Sequence, residues 1–134
     1  MEDKPVEIKQ VSEREIWVGD HRFYLGEDNI IYCTTVGEID DEIAIKFDEA
    51  TLKLMNMVEG KANLFIDLSR TGVATSKSRK MGKRMFENEK IGKIAMFGMH
   101  PVARVVASFV MGVTNKEDMH FFKSKEDALS WLKE

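Results

Sequence analysis

Residues 37–68 read GEIDDEIAIKFDEATLKLMNMVEGKANLFIDL, and this stretch decides the fold. At Gly37 the period of the apolar residues changes. Ile43, Phe47, Ala50, Leu54 and Met57 recur at spacings of four, three, four and three, which lines one face of a helix. Asp40, Asp41 and Glu42 stand at its start, where acidic side chains complement the exposed amide groups. Gly60 falls where a helix stops. Ala62 to Leu68 then runs apolar with one late Asp, the pattern of a strand covered on both faces.

Toward the N-terminus the chain reads as strands. Glu15 to Val18 is ended by Gly19-Asp20, and His21 to Leu25 by the turn cluster Gly26-Glu27-Asp28-Asn29. Ile30 to Val36 is rich in β-branched and aromatic residues and is a third strand. Connections this short favour antiparallel neighbours. Toward the C-terminus, a polar loop from Ser69 to Thr75 leads to a helix from about Ser76 to Glu89, and Lys93 to Met99 is another buried strand. Pro101 suits the first turn of a third helix through Val102, Val106, Phe109 and Val113. Met119 to Lys123 is a last short strand, and Ser124-Lys125-Glu126-Asp127 resembles a capping box opening a final helix with Ala128, Trp131 and Leu132 on one face. Strands alternating with helices imply parallel strands joined by right-handed crossovers. The expected fold class is α/β: a mixed sheet, antiparallel at its N-terminal strands and parallel in the βαβ units, packed with about four helices. Residues 1–134 read as one domain, with 1–12 expected as a flexible N-terminal segment.

Composition narrows the function classes. The 134 residues are 43% hydrophobic and 32% charged with a net charge of -3, a globular balance that argues against a general nucleic-acid binder. A lone cysteine, Cys33, forms no internal disulfide, which fits a reducing compartment. The start MEDKPVEIKQ lacks the apolar stretch of a signal peptide, and the densest apolar region, Val102 to Val113, is broken by Arg104 and Ser108. The expected location is cytoplasmic, with no membrane span.

Three segments carry a family likeness: Leu64-Phe65-Ile66-Asp67-Leu68-Ser69, the strand and helix from Lys93 through Val113, and the ending FFKSKEDALSWL over residues 121–132. In this order the elements resemble the SpoIIAA/STAS superfamily of anti-sigma-factor antagonists, and within it the STAS/SEC14-like or SpoIIAA-like branch. The resemblance spans about Glu15 to Leu132. It implies a SpoIIAA-like domain that acts through protein–protein interaction. In the antagonists, a serine in an Asp-Ser-Ser-Gly element after the "D-L-S" strand end is phosphorylated by a partner kinase. Counted forward from Asp67 without gaps, that serine falls on Ser76, while Thr75, Lys77 and Ser78 depart from the flanking pattern.

Several constellations are candidates for chemistry. Residues 76–84, SKSRKMGKR, hold five basic side chains in nine positions. Cations at a helix N-terminus oppose the macrodipole, and free amides there attract anions. Lys77, Arg79, Lys80 and Arg84 are therefore candidate anion-binding residues, for a phosphate, a phosphoserine at Ser76 or an acidic partner surface. The plainer alternative is a solvated basic face. Asp67, at a strand end, and His100, after the next strand, are candidate rim residues with Ser69 or Ser76. An Asp–His–Ser set suggests hydrolysis, but no Gly-x-Ser-x-Gly elbow exposes a serine. The alternative is that Asp67 ties down its own loop by accepting backbone hydrogen bonds. The Val102–Val113 helix is apolar nearly all round, as expected of a central helix, a homodimer contact or a ligand groove.

His21, His100 and His120 show no metal-ligand spacing, no phosphate-binding glycine motif is present, and no cofactor is implied. Cys33 reads as a small buried apolar group, and Trp17 and Trp131 as packing anchors. The expected function is a non-enzymatic, protein-interacting regulatory domain with Ser76, Thr75, Ser69 and Asp67 as candidate phosphorylation or partner-binding residues. The alternative is a carrier of an anionic or lipid-like ligand between the basic helix and the third helix.

Overall fold

A computed structural model describes residues 6–98 and 118–134. Ten elements lie among them: β1 (Ile8–Ser12), β2 (Glu15–Val18), β3 (His21–Leu25), β4 (Ile30–Ile39), α1 (Asp41–Met55), β5 (Ala62–Ala74), α2 (Ser76–Phe86), β6 (Ile91–Phe97), β7 (Met119–Phe122) and α3 (Lys125–Leu132). The seven strands form one mixed sheet in the order β1-β2-β3-β4-β5-β6-β7. The β1–β4 pairings are antiparallel and those from β4 to β7 are parallel, as the short turns and the βαβ alternation led us to expect.

Strand alternation sorts the core into two layers. Ile31, Cys33, Leu64, Ile66, Ile94 and Met96 face one side, where Ala50, Leu54 and Met55 of α1 and Met85 of α2 cover them. Ile30, Phe65 and Ala95 face the other side, under Ala128 and Leu132 of α3. Each strand of the parallel half is therefore apolar on both faces, which accounts for its continuous hydrophobic run. Ser124 caps α3 by accepting the Asp127 N–H at 3.1 Å.

Some boundaries differ from the sequence reading. The stretch Ser69 to Thr75 is not a loop, because β5 runs on to Ala74, pairing Arg70 with Val36, Thr71 with Gly37 and Ala74 with Ile39. Its side chains are mostly exposed, so backbone pairing rather than burial holds it, and polarity alone suggests a loop. Helix α1 ends at Met55, and Met57, expected on its buried face, is 45% exposed. Helix α2 ends at Phe86, with Glu87 as C-cap. Strand β1 adds an edge whose five residues are all exposed. Three helices lie among the described residues against about four expected; the Val102–Val113 helix, and with it the homodimer contact and the third-helix ligand groove, falls outside them.

Candidate functional site

The paired ends of β4 and β5 bring two helix starts side by side. Ile39 lies opposite Ala74 in the parallel ladder, so Asp40 and Thr75, the next residues, begin α1 and α2 next to each other. Asp40 Oδ1 accepts the Ile43 N–H at 2.8 Å, and Thr75 Oγ1 accepts the Ser78 N–H at 3.1 Å. Each satisfies an amide that its helix leaves unpaired. The two caps are also joined. The Thr75 N–H donates to the Ile39 carbonyl at 3.1 Å, and Thr75 Oγ1 donates to Asp41 Oδ1 at 2.5 Å. Ser78, buried at 6% exposure, has its hydroxyl within 3.0 Å of the Ile39 and 2.9 Å of the Asp40 carbonyl oxygens.

Above this joint opens a cleft of about 690 Å³ lined by Asp40, Asp41, Glu42, Thr75, Ser76, Lys77 and Lys80. Ser76 is the first residue of α2 and is exposed. Two lysines and three carboxylates thus line the same cleft. The acidic wall reads in the sequence only as helix capping. Its place in the site follows from the β4–β5 register, a pairing between distant residues with no local signal.

The candidate basic residues divide. Lys77 and Lys80 line the cleft with Ser76. The Arg79 guanidinium donates to the Ala74 carbonyl at 2.7 Å. Arg84 lies in the last turn of α2, where its charge acts on Asp48 of α1. Lys83 pairs with Glu87 at 3.8 Å, one turn on.

Asp67 is not part of the cleft. Its Oδ1 accepts the Ser69 N–H at 3.0 Å and the Ser69 hydroxyl at 2.6 Å, so it ties down the backbone just after itself. Seven further residues of extended strand separate Asp67 from the end of β5, roughly 20 Å at the rise of a β-strand. A common rim joining Asp67 or Ser69 to Ser76 is therefore not formed, and His100, its third expected member, lies outside the described residues. Among the described residues no three ligating side chains converge to hold a metal ion.

The remaining singled-out residues among those described lie outside the cleft. Cys33 is buried, and burial pushes its thiol up to about 12. Trp17 Nε1 donates to Glu15 at 2.7 Å, and the same carboxylate receives Arg22 at 3.0 and 3.1 Å; these contacts hold the Glu15 carboxyl below its ordinary value. Trp131 packs edge-on against His120, with ring centroids 4.8 Å apart. Among the described residues no helix is long and apolar enough to cross a membrane.

Comparison with known proteins places this geometry. Residues 23–134 match the family model described as Domain of unknown function (DUF7793). No curated protein matches the sequence. Two solved structures share the fold at a TM-score of 0.60 and 14% identity. One is an uncharacterized protein of the DUF3478 family with a SpoIIAA-like fold from Shewanella loihica PV-4, covering 95% of this chain and 91% of its own. The other is the anti-sigma factor antagonist SpoIIAA in its unphosphorylated form, covering 84% of this chain and 97% of its own. The fold of this chain is SpoIIAA-like.

Proposed function

We propose that this chain, which belongs to the family described as Domain of unknown function (DUF7793), is a non-enzymatic regulatory domain whose paired helix starts dock a protein partner. The observation that carries this reading is the Ile39–Ala74 register. It sets exposed Ser76 in an open cleft between an acidic wall and Lys77 and Lys80. The neighbour SpoIIAA is described as an anti-sigma factor antagonist in its unphosphorylated form, and the resemblance aligns the phosphorylated serine of such antagonists with Ser76.

Phosphorylation of Ser76 is the proposed control. A phosphate there adds about −1.5 to −2 charges at neutral pH. It would sit at the first turn of α2, where amides and the macrodipole favour an anion, beside Lys77 and Lys80. It would also face Asp41 and Glu42, which repel it. With two lysines against three carboxylates on the cleft walls, the added charge turns a mixed surface strongly acidic. A partner fitted to one state is then rejected by the other. A cytoplasmic setting belongs to the same proposal.

Phosphosite mapping by mass spectrometry of the chain purified from its own cells tests this. Phosphate on Ser76 is the expected result. The reading fails if Ser76 stays unmodified under every growth condition and Lys77→Glu with Lys80→Glu leaves the set of bound proteins unchanged.

A further inference from the structure

Among the described residues, the space between α1, α2 and the sheet is not filled. A cavity of about 160 Å³ lies there, walled by Phe23 and Leu64 of the sheet, Phe47 of α1, and Met81, Met85 and Phe86 of α2. Two hydroxyls on its wall are occupied elsewhere, while Thr51 and Asp48 also line it. Thr35 Oγ1 bonds with Thr71 Oγ1, and the Ser78 hydroxyl is held by the Ile39 and Asp40 carbonyls. Among the described residues no buried side-chain nitrogen or oxygen lacks a partner. The rest of the wall is apolar, and apolar cavities near 150 Å³ accept benzene or xenon.

A second observation comes from α2 itself. Gly82 lines the same cavity in the middle of the helix, where glycine is a weaker helix former than alanine. Among the described residues nothing lies within 4 Å of the position a Cβ would take there, so close packing does not require the missing side chain. The methionines beside it are flexible and polarizable, suited to adjusting around a guest. At the edge of the cavity, Asp48 has its carboxyl raised mainly by burial, against the pull of Arg84. An anionic guest would meet that carboxylate.

We propose that this cavity is a binding site for a small, uncharged, apolar ring compound, of a size from benzene to indole. It is separate from the cleft at Ser76 and does not rest on the partner-docking reading.

The test is a titration of the full chain, labelled at its methionine methyl groups, followed by NMR with benzene as probe. Saturable shifts at Met81 and Met85, with Met119 unmoved, are expected. Benzoate, the same ring bearing a charge, is expected to give none. Gly82→Leu, which places a side chain at the open position, is expected to abolish the benzene shifts, and Ala44→Val on the facing wall is the second variant should the first not fold. The proposal is overturned if benzene produces no saturable shift at Met81 and Met85, if the shifts centre on Met119, or if benzoate binds equally.

Discussion

The Nδ1 atom of His21 accepts the backbone N–H of Val36 at 3.0 Å. Strand β4 outruns β3 here: their pairing ends at Arg22 and Thr34, while β4 continues to Ile39. The imidazole takes the place of the missing strand. It is 3% exposed and meets the Phe47 ring edge-on, with centroids 4.7 Å apart. Accepting a hydrogen bond at Nδ1 requires that nitrogen to be unprotonated. Burial holds the His21 pKa below its ordinary value, against Asp20 and Asp40, which raise it.

A pH dependence of stability follows. Because the folded pKa is depressed, the unfolded chain binds the proton more readily. The contribution is fully present above the unfolded value, roughly 6.5, and is lost as pH falls from there toward the folded value. Urea midpoints measured across that range should fall with acidification. His21→Gln, which keeps an acceptor but does not titrate, should flatten the profile. An unchanged slope in the variant would contradict the assignment.

Thr75→Ala removes both the α2 cap and the link to Asp41. A lost N-cap costs about 0.5–2 kcal/mol, and thermal unfolding should show a loss in that range. Thr75→Ser, which retains the hydroxyl, should recover most of it.

Asn63 fastens α3 to the sheet. Its Nδ2 donates to the Leu132 carbonyl at 3.2 Å, and its Oδ1 accepts the Lys93 N–H at 2.9 Å. The Lys93 ammonium lies 5.2 Å from the centre of the Trp131 ring. Asn63→Ala should cost about 1–3 kcal/mol. Hydrogen exchange should show amides of α3 losing protection before those of α1.

Cys33 is buried, and burial pushes its thiol up to about 12. A thiolate-directed reagent should leave the native chain unmodified and label it stoichiometrically in denaturant. Rapid labelling of the native chain would show that the packing around β4 is open. The thiolate is the reactive form, and it is scarce in such an environment.

The parts legible in the sequence are those whose evidence is local. Ile43, Phe47, Ala50 and Leu54 mark α1 by period, Ala62–Leu68 marks the central strand by its apolar run, and Ser124 marks the start of α3 by its cap. The second half of β5 is not legible because its backbone ladder, not its side chains, holds it; Val73 is 75% exposed. For the same reason Asp67 was expected near Ser76, across a loop that proves to be strand. Ser76, Lys77 and Lys80 were readable as a charged helix start. Asp41 and Glu42 as the opposite wall were not, since the Ile39–Ala74 pairing that places them joins residues far apart in the chain.

The most direct measurement is a comparative capture from the protein's own cells using the wild type, Ser76→Asp and Ser76→Ala as baits. A protein held by the wild type and by Ser76→Ala but lost with Ser76→Asp is the expected result, with Lys77→Glu and Lys80→Glu reducing its capture. Identical sets of captured proteins for all the baits would contradict a docking surface controlled at the start of α2.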